Sequence, residues 1–219
     1  MPYRRTENVA RRLAARRDAI IAAARQAASE SGMAAVQVAP VALRAGIAAG
    51  TVYRYFPGKS DLIAALFAEF AEREVASLRQ AGDAAPGPLS ALAAAIMSFS
   101  ARLVAQRRLA LAVIAEPVEA ELDAVRLDLR KALAGELAAR IAAAVEGGHL
   151  PEQDAAAAAA ALFGLLVEGL IGPLAPQTNG RSRELVQSLT LTALRALGVA
   201  DARARGLVVQ TPLPAEPEN

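Results

Sequence analysis

Apolar residues recur every three or four positions along most of the chain, which is the pattern of helices with one buried face. Leu92, Ile96, Phe99 and Leu103 form one such stripe. The strict alternation of apolar and polar residues that half-buried strands require is found nowhere. The pattern therefore predicts an all-α fold.

Glycine and proline clusters divide the helical pattern into a small amino-terminal unit and a larger body. The segment from Gly82 to Pro88, GDAAPGP, is the strongest break. We predict five regions in chain order. They are a mobile basic arm over residues 1–12, a unit of three helices over 13–58, a connecting helix over 59–81, a larger helical domain over 82–200, and a disordered tail over 201–219.

The segment from Val41 to Leu66 carries the most information about function. A short helix with an apolar face ends at Gly46, where the chain needs a residue that tolerates positive φ. A second short helix, from about Ala48 to Tyr55, carries hydroxyl and cationic side chains. This is the layout of a helix-turn-helix, whose second helix enters the DNA major groove.

Charge is distributed unevenly along the chain. Residues 1–60 contain ten Lys or Arg against three Asp or Glu, whereas the remaining residues contain fourteen against nineteen. A basic first quarter on an acidic body is typical of a protein that meets nucleic acid with one end. A solvated helix face is the alternative interpretation of the arginine cluster.

Composition argues against several other functions. The chain has no cysteine, one histidine and no glycine-rich phosphate loop, which leaves too few groups for a catalytic triad or a metal cluster. We expect no enzyme, no cofactor and no metal. The longest apolar run stops at Glu168 and the amino terminus lacks an apolar signal core, so we expect a cytoplasmic protein with no membrane partner.

The residues from Gly50 to Lys59, GTVYRYFPGK, resemble the signature of the TetR family of bacterial transcriptional regulators. The resemblance covers roughly Arg16 to Phe70. It implies DNA contacts from Thr51, Tyr53, Tyr55 and Lys59. The residues themselves add Arg54, because Arg pairs with guanine in a bidentate way, although a phosphate contact is the alternative. The candidate DNA-binding residues are Arg44, Ala49, Gly50, Thr51, Tyr53, Arg54, Tyr55 and Lys59.

One departure from the family pattern affects the first helix of the motif. Many members carry a Thr and then an Arg or Lys where this chain has Gln37 or Val38 and Ala39, followed by Pro40. A DNA contact from the start of that helix is therefore not expected, while Arg44 remains available near its end.

For the body, the resemblance implies an effector pocket between the fifth and eighth helices and a dimer made by the last two long helices. The predicted eighth helix is apolar almost all round, which supports the dimer independently, although burial inside one subunit is the alternative. The candidate interface residues are Leu162, Leu166, Leu170, Leu185, Leu189 and Thr192. The candidate pocket residues are Phe99, Arg102, Glu116 and Arg126. Ordinary core packing for Phe99 and a solvated face for Arg126 are the alternatives.

These observations predict a homodimeric repressor that binds double-stranded DNA at a roughly palindromic operator. A small apolar or amphipathic effector, whose identity is unknown, would release it. Two alternatives stay open. One is a DNA-binding protein of the same fold without a small effector, and the other is an α-helical enzyme or small-molecule carrier.

Overall fold

The computed structural model describes residues 3–174 and 182–213, and within those ranges it contains helices and no strand. The fold class is therefore the all-α one that the sequence predicts. In chain order the helices are α1 (Tyr3–Ser31), α2 (Val38–Arg44), α3 (Ala49–Tyr53), α4 (Lys59–Asp83), α5 (Pro88–Ala105), α6 (Arg107–Ile114), α7 (Asp123–Glu146), α8 (Ala155–Leu174), α9 (Ser182–Ala196) and α10 (Asp201–Gln210).

The first three helices form a small domain around a short apolar core. Ile20 and Ala24 of α1 pack with Val41 of α2 and Val52 of α3, all of them fully buried. Gly46 has φ of 66°, and the N–H of Ile47 returns to the carbonyl of Ala42 at 3.0 Å. The predicted glycine turn is confirmed, because only glycine adopts this backbone without strain.

The larger domain is built on α4, α5 and α7. Helix α4 packs on α5 and α7, α7 packs on α8, and α5 packs on α9. The core consists mostly of Leu, Ile, Val and Ala, with Phe67, Phe70 and Phe99 as its largest members. Small side chains let these helices approach closely, in keeping with a sequence that is only 4% aromatic.

The amino-terminal arm that we expected to be separate and mobile is instead helical. Residues 3–12 continue α1 without a break to Ser31. Alanine and arginine favour helices, and this stretch contains no internal glycine or proline to stop one.

The tail expected to be disordered from residue 201 begins with helix α10. Ala204 and Val208, four residues apart, are buried, and α10 packs against α9 and α5. Asp201 lies in its first turn and accepts a hydrogen bond from Arg205 at 2.8 Å. Residues 214–219 lie outside the described residues.

The connection between α6 and α7 is irregular. Proline suits the first turn of a helix, so Pro117 is a possible helix start in the sequence, but α7 begins at Asp123, after an irregular stretch and a 3₁₀ turn over Ala120–Leu122. The side chain of Glu116 is used for contacts with other elements, and Arg126 donates a hydrogen bond to the Glu116 carbonyl at 2.7 Å. These contacts fix residues 116–119 in an irregular conformation instead of a first turn of α7.

Two helices are long and apolar enough to cross a membrane by length and composition, namely α5 and α8. Most of the apolar window in α5 is buried in the core, which accounts for its composition. Only 33% of the corresponding window in α8 is buried inside the chain. Core helices pass the same test, so this is weak evidence for a membrane span.

A buried carboxylate joins α4 to the end of α5. Glu74 is 1% exposed and accepts two hydrogen bonds from Arg102, both at 2.9 Å, and a third from Gln106 at 2.7 Å. Arg25 of α1 then donates to Gln106 at 3.1 Å. The network therefore runs from the body into the small domain.

We predict that Glu74→Ala lowers the free energy of unfolding by about 2–4 kcal/mol, because it leaves Arg102 and Gln106 without their shared acceptor. Urea unfolding monitored by circular dichroism measures the loss. Glu72→Ala, an exposed glutamate on the same helix, is the control and is expected to change stability by less than about 0.5 kcal/mol. Equal losses for the two variants would contradict the structural role assigned to Glu74.

Candidate nucleic-acid interface

The second helix of the helix-turn-helix presents its polar side to solvent. Val52 is fully buried and anchors α3 on the small domain, while Gly50, Tyr53 and Arg54 are exposed. Tyr53 is 53% exposed, so it projects from the domain rather than packing in it. A Cβ added at Gly50 would meet nothing within 4 Å. The face is therefore open to a large partner.

The remaining candidates on and beside α3 are partly buried. Ala49, Thr51 and Tyr55 have intermediate exposure, and Ala49 and Tyr55 pack against the apolar core. Phe56 is buried, with the guanidinium of Arg17 lying 5.4 Å from its ring centroid. Tyr55 thus serves the packing of the domain as well as its surface.

The two arginines of this face differ in their partners. Arg54 is exposed, and its guanidinium has no ion pair or hydrogen bond with the described residues. Arg44 binds both carboxylate oxygens of Glu30, at 2.9 and 2.6 Å, which ties α2 to α1. The hydrogen bond from Arg44 lowers the pKa of Glu30. Arg54 is therefore the cation of this pair that is open to a new partner.

Lys59 lies in the first turn of α4, at the edge of the same face. Its Nζ is 2.7 Å from Oε1 of Glu119, in the connection between α6 and α7. This hydrogen bond lowers the pKa of Glu119. The backbone N–H of Gly58, just before the helix, donates a hydrogen bond to Oδ2 of Asp61 at 2.8 Å. The predicted phosphate contact thus has an internal anionic partner in the DNA-free chain.

Sequence reasoning did not single out Leu43, an exposed leucine on the first helix of the motif. It is 83% exposed, the most exposed large apolar side chain among the described residues. Val38, Val41 and Ala42 on the same helix are buried, so helical spacing already placed Leu43 on the opposite side. An exposed leucine there is suited to apolar contact with a thymine methyl group.

Part of the basic cluster on α1 also remains at the surface. Arg12 and Arg16 are exposed and have no partner among the described residues, whereas Arg17 lies over Phe56. The first half of α1 therefore presents positively charged side chains to solvent.

The four candidate pocket residues do not converge on one cavity. Phe99 is buried against Phe163, with ring centroids 5.9 Å apart, and Arg102 is bound to Glu74. Glu116 pairs with Arg108 and accepts a hydrogen bond from the Met33 amide at 2.7 Å.

Arg126, the fourth candidate, is also occupied by internal contacts. Its guanidinium lies 5.4 Å from the Phe67 ring centroid, and burial lowers its pKa. Internal partners therefore hold the three charged candidates, which face different neighbours.

A shallow cavity of about 360 Å³ lies instead where the small domain meets the body. Its walls combine apolar side chains with the Lys59–Glu119 pair. They include Met33, Gln37, Lys59, Ile63, Val118 and Glu119.

Half of the candidate interface residues face inward. Leu162, Leu166 and Leu170 are at most 3% exposed and belong to the core of the subunit, so they are not available to a partner. Helix α8 packs against α7 and also against α5, α6 and α9 of its own chain. Leu185 and Leu189 are partly buried and Thr192 is exposed. The accessible face of α8 is formed by other residues, namely Ala157, Ala161, Gly164, Leu165 and Glu168.

Among the described residues, no three His, Asp or Glu side chains are grouped so as to hold a metal ion.

A family model described as "Bacterial regulatory proteins, tetR family" matches residues 20–66, which span the helix-turn-helix and the start of α4. The transcriptional repressor KstR of Rhodococcus jostii is 47% identical over 58 residues, which are 26% of this chain and 27% of KstR. The match thus spans about a quarter of that relative's length.

Solved structures match nearly the whole fold. The fatty acid degradation regulator FadR of Bacillus halodurans is 27% identical, with a TM-score of 0.72 over 84% of this chain and 99% of its own. FadR of Bacillus subtilis, in complex with stearoyl-CoA, is 24% identical, with a TM-score of 0.70 over 83% and 98%. RolR in complex with resorcinol is 23% identical, with a TM-score of 0.71 over 94% and 99%.

The match over residues 20–66, the open face of α3 and the shared two-domain helical fold agree with one another. Residues 20–66 of the chain are thus similar to the tetR family of bacterial regulatory proteins, and the described residues share the fold of FadR of Bacillus halodurans.

Proposed function

We propose that the protein is a homodimeric transcriptional repressor that acts in the cytoplasm and is released from DNA by a small molecule. The observation that carries the proposal is the open face of α3, where exposed Tyr53 and Arg54 stand on a helix anchored by buried Val52. A helix held in this way fits the major groove, and the neighbouring cations supply the phosphate contacts that position it.

Arg54 is the residue that we propose reads a base. It is exposed, long and lacks an internal partner among the described residues, so its guanidinium can form two hydrogen bonds with guanine O6 and N7. Tyr53, Thr51 and Lys59 are proposed to contact phosphates, which fixes the register of the helix.

We predict that Arg54→Ala weakens binding to the preferred sequence by about 1–3 kcal/mol and relaxes the preference at one base pair in each half-site. Duplexes selected from a random pool by the wild-type protein provide the preferred sequence, and fluorescence anisotropy measures affinity. Arg130→Ala, an exposed arginine of α7, is the control and is expected to leave binding unchanged. An equal loss on selected and random duplexes would assign Arg54 to phosphate contact only.

The dimer is proposed to form through the accessible face of α8 together with α9. Ala157, Ala161, Gly164, Leu165 and Glu168 lie on one side of α8 at helical spacing. Small residues allow two helices to approach closely, and a Cβ added at Gly169 would lie only 2.6 Å from Cδ2 of Leu189, where α8 meets α9. Two such pairs of helices would form a four-helix interface around a two-fold axis.

We predict that Ala161→Arg converts a stable dimer into a monomer, because Ala161 is exposed in the subunit and would be buried in the interface. Sedimentation velocity at micromolar concentration measures the change. Leu127→Arg, at an exposed leucine of α7, is the control and is expected to leave a dimer. A monomeric wild-type protein would refute this part of the proposal.

The effector is proposed to be apolar or amphipathic and to bind in the body near Phe99 and Phe163. The hydroxyl of Ser100, which follows Phe99 on α5, is fully buried and has no hydrogen-bond partner among the described residues. An unpaired buried hydroxyl is costly, so a ligand group that bonds to it would be stabilised. Stearoyl-CoA and resorcinol, bound to FadR of Bacillus subtilis and to RolR, are the chemical types that we would test first.

The alternative, a DNA-binding protein of this fold without a small effector, is favoured by one observation. Arg102, Glu116 and Arg126, which the sequence assigned to a pocket, all have internal partners. A ligand would have to displace these contacts or use the apolar region alone.

We predict that stearoyl-CoA, resorcinol or a related amphipathic compound releases the protein from its selected duplex, whereas a quaternary ammonium salt does not. Anisotropy measures release, and calorimetry measures affinity for the free and DNA-bound protein. A compound that releases DNA allosterically must bind the free protein more tightly than it binds the DNA-bound protein. Release with equal affinity for both forms would contradict an allosteric effector, and no release by any compound would favour the alternative.

A further inference from the structure

Three carboxylates in the connection between α6 and α7 contact the helix-turn-helix domain or the start of α4. We call residues 116–121 the acidic connection. Glu116 accepts a hydrogen bond from the Met33 amide, Glu119 pairs with Lys59, and Glu121 bonds to the hydroxyl of Ser60. These contacts span sequence separations of 60 to 83 residues, so they join parts of the chain that only the tertiary fold brings together.

The acidic connection lies directly against the turn that follows α1. Gly32 has φ of 83°, and a Cβ there would clash with the guanidinium of Arg108, the partner of Glu116. This close approach leaves little space between the small domain and the connection. A shift of the connection therefore changes the contacts of Met33 and Lys59 together.

The pair between Lys59 and Glu119 is able to open. Its side chains are 32% and 43% exposed, and exposed ion pairs contribute little free energy. An ammonium group is a compact charge with three donors, which satisfies a carboxylate or a phosphate equally well. Solvent access lets one anion replace the other.

We propose that Glu119 occupies, in the DNA-free protein, the place that a DNA phosphate takes at Lys59, so that the acidic connection competes with DNA. The inference rests on the proposed function, in which Lys59 contacts a phosphate. Two anions held at one lysine repel each other, so the ion pair with Glu119 opposes DNA binding and is weakened or broken by it. By linkage, a change in the body that withdraws the connection strengthens DNA binding, and a change that presses it onto Lys59 weakens it.

A purely structural role for the pair leads to different behaviour. If Glu119 only holds the two domains together, its removal lowers stability and leaves DNA affinity unchanged. If it acts only through its long-range charge, its removal strengthens DNA binding whether or not Lys59 is present. These cases are distinguished by measuring how much the removal of Glu119 changes DNA affinity when Lys59 is present and when it is absent.

The test is a double-mutant cycle with a fluorescein-labelled random-sequence duplex, because a phosphate contact needs no particular base sequence. The proteins are the wild type, Glu119→Gln, Lys59→Ala and the double variant. Glu119→Gln is expected to bind DNA about two- to fivefold more tightly, the range set by an exposed ion pair. Lys59→Ala is expected to bind more weakly, and adding Glu119→Gln to it is expected to change nothing further.

Glu146→Gln, at an exposed glutamate near the end of α7, is the charge-matched control and is expected to leave affinity unchanged. Thermal melting of each variant confirms that it is folded. The proposal is overturned if Glu119→Gln binds like the wild type, or if its gain persists in the absence of Lys59. A wild-type protein that binds no duplex would overturn the proposed function itself, an outcome distinct from both.

Discussion

The arrangement of the small domain on the body depends on α4, whose buried residues pack with both parts. Leu62 and Leu66, near its start, are fully buried, and Phe67 and Phe70 follow on the same face. Burying large apolar side chains on one continuous helix makes the small domain and the body mechanically dependent on each other. A displacement of α4 in the body is therefore transmitted to the start of the helix at Lys59.

Polar contacts then fix the angle between the two parts. The buried Glu74 joins α4 to Arg102 and Gln106, and Arg25 of α1 reaches the same group. Glu116 satisfies the Met33 amide at the turn after α1. Buried or half-buried hydrogen bonds have strict geometry, so they select one arrangement from the many that apolar packing would tolerate. The exposed pair of Lys59 and Glu119 is the most readily exchanged of these contacts.

The sequence was most informative where one local requirement determined the residue. Gly46 adopts positive φ because the turn demands it, and Val41 and Ala42, on the apolar face predicted for the first helix of the motif, are buried. The candidate DNA contacts Tyr53 and Arg54 are exposed as predicted. By contrast, Leu43 was overlooked because a single apolar residue in an apolar run looks like core until its angular position is considered.

By itself the sequence determined the all-α class, the helix-turn-helix and the basic charge of the first quarter, because helical periodicity, turn residues and composition are local properties. Only the tertiary structure decided which faces of α8 are buried and which charged groups meet. Leu162, Leu166 and Leu170 are equally apolar whether they face the core of their own subunit or a second subunit, so periodicity could not assign them. The partners of Glu116 and Glu119 lie 60 or more residues away in the chain. Such pairings follow from the packing of α1, α4 and the acidic connection, which no local pattern records.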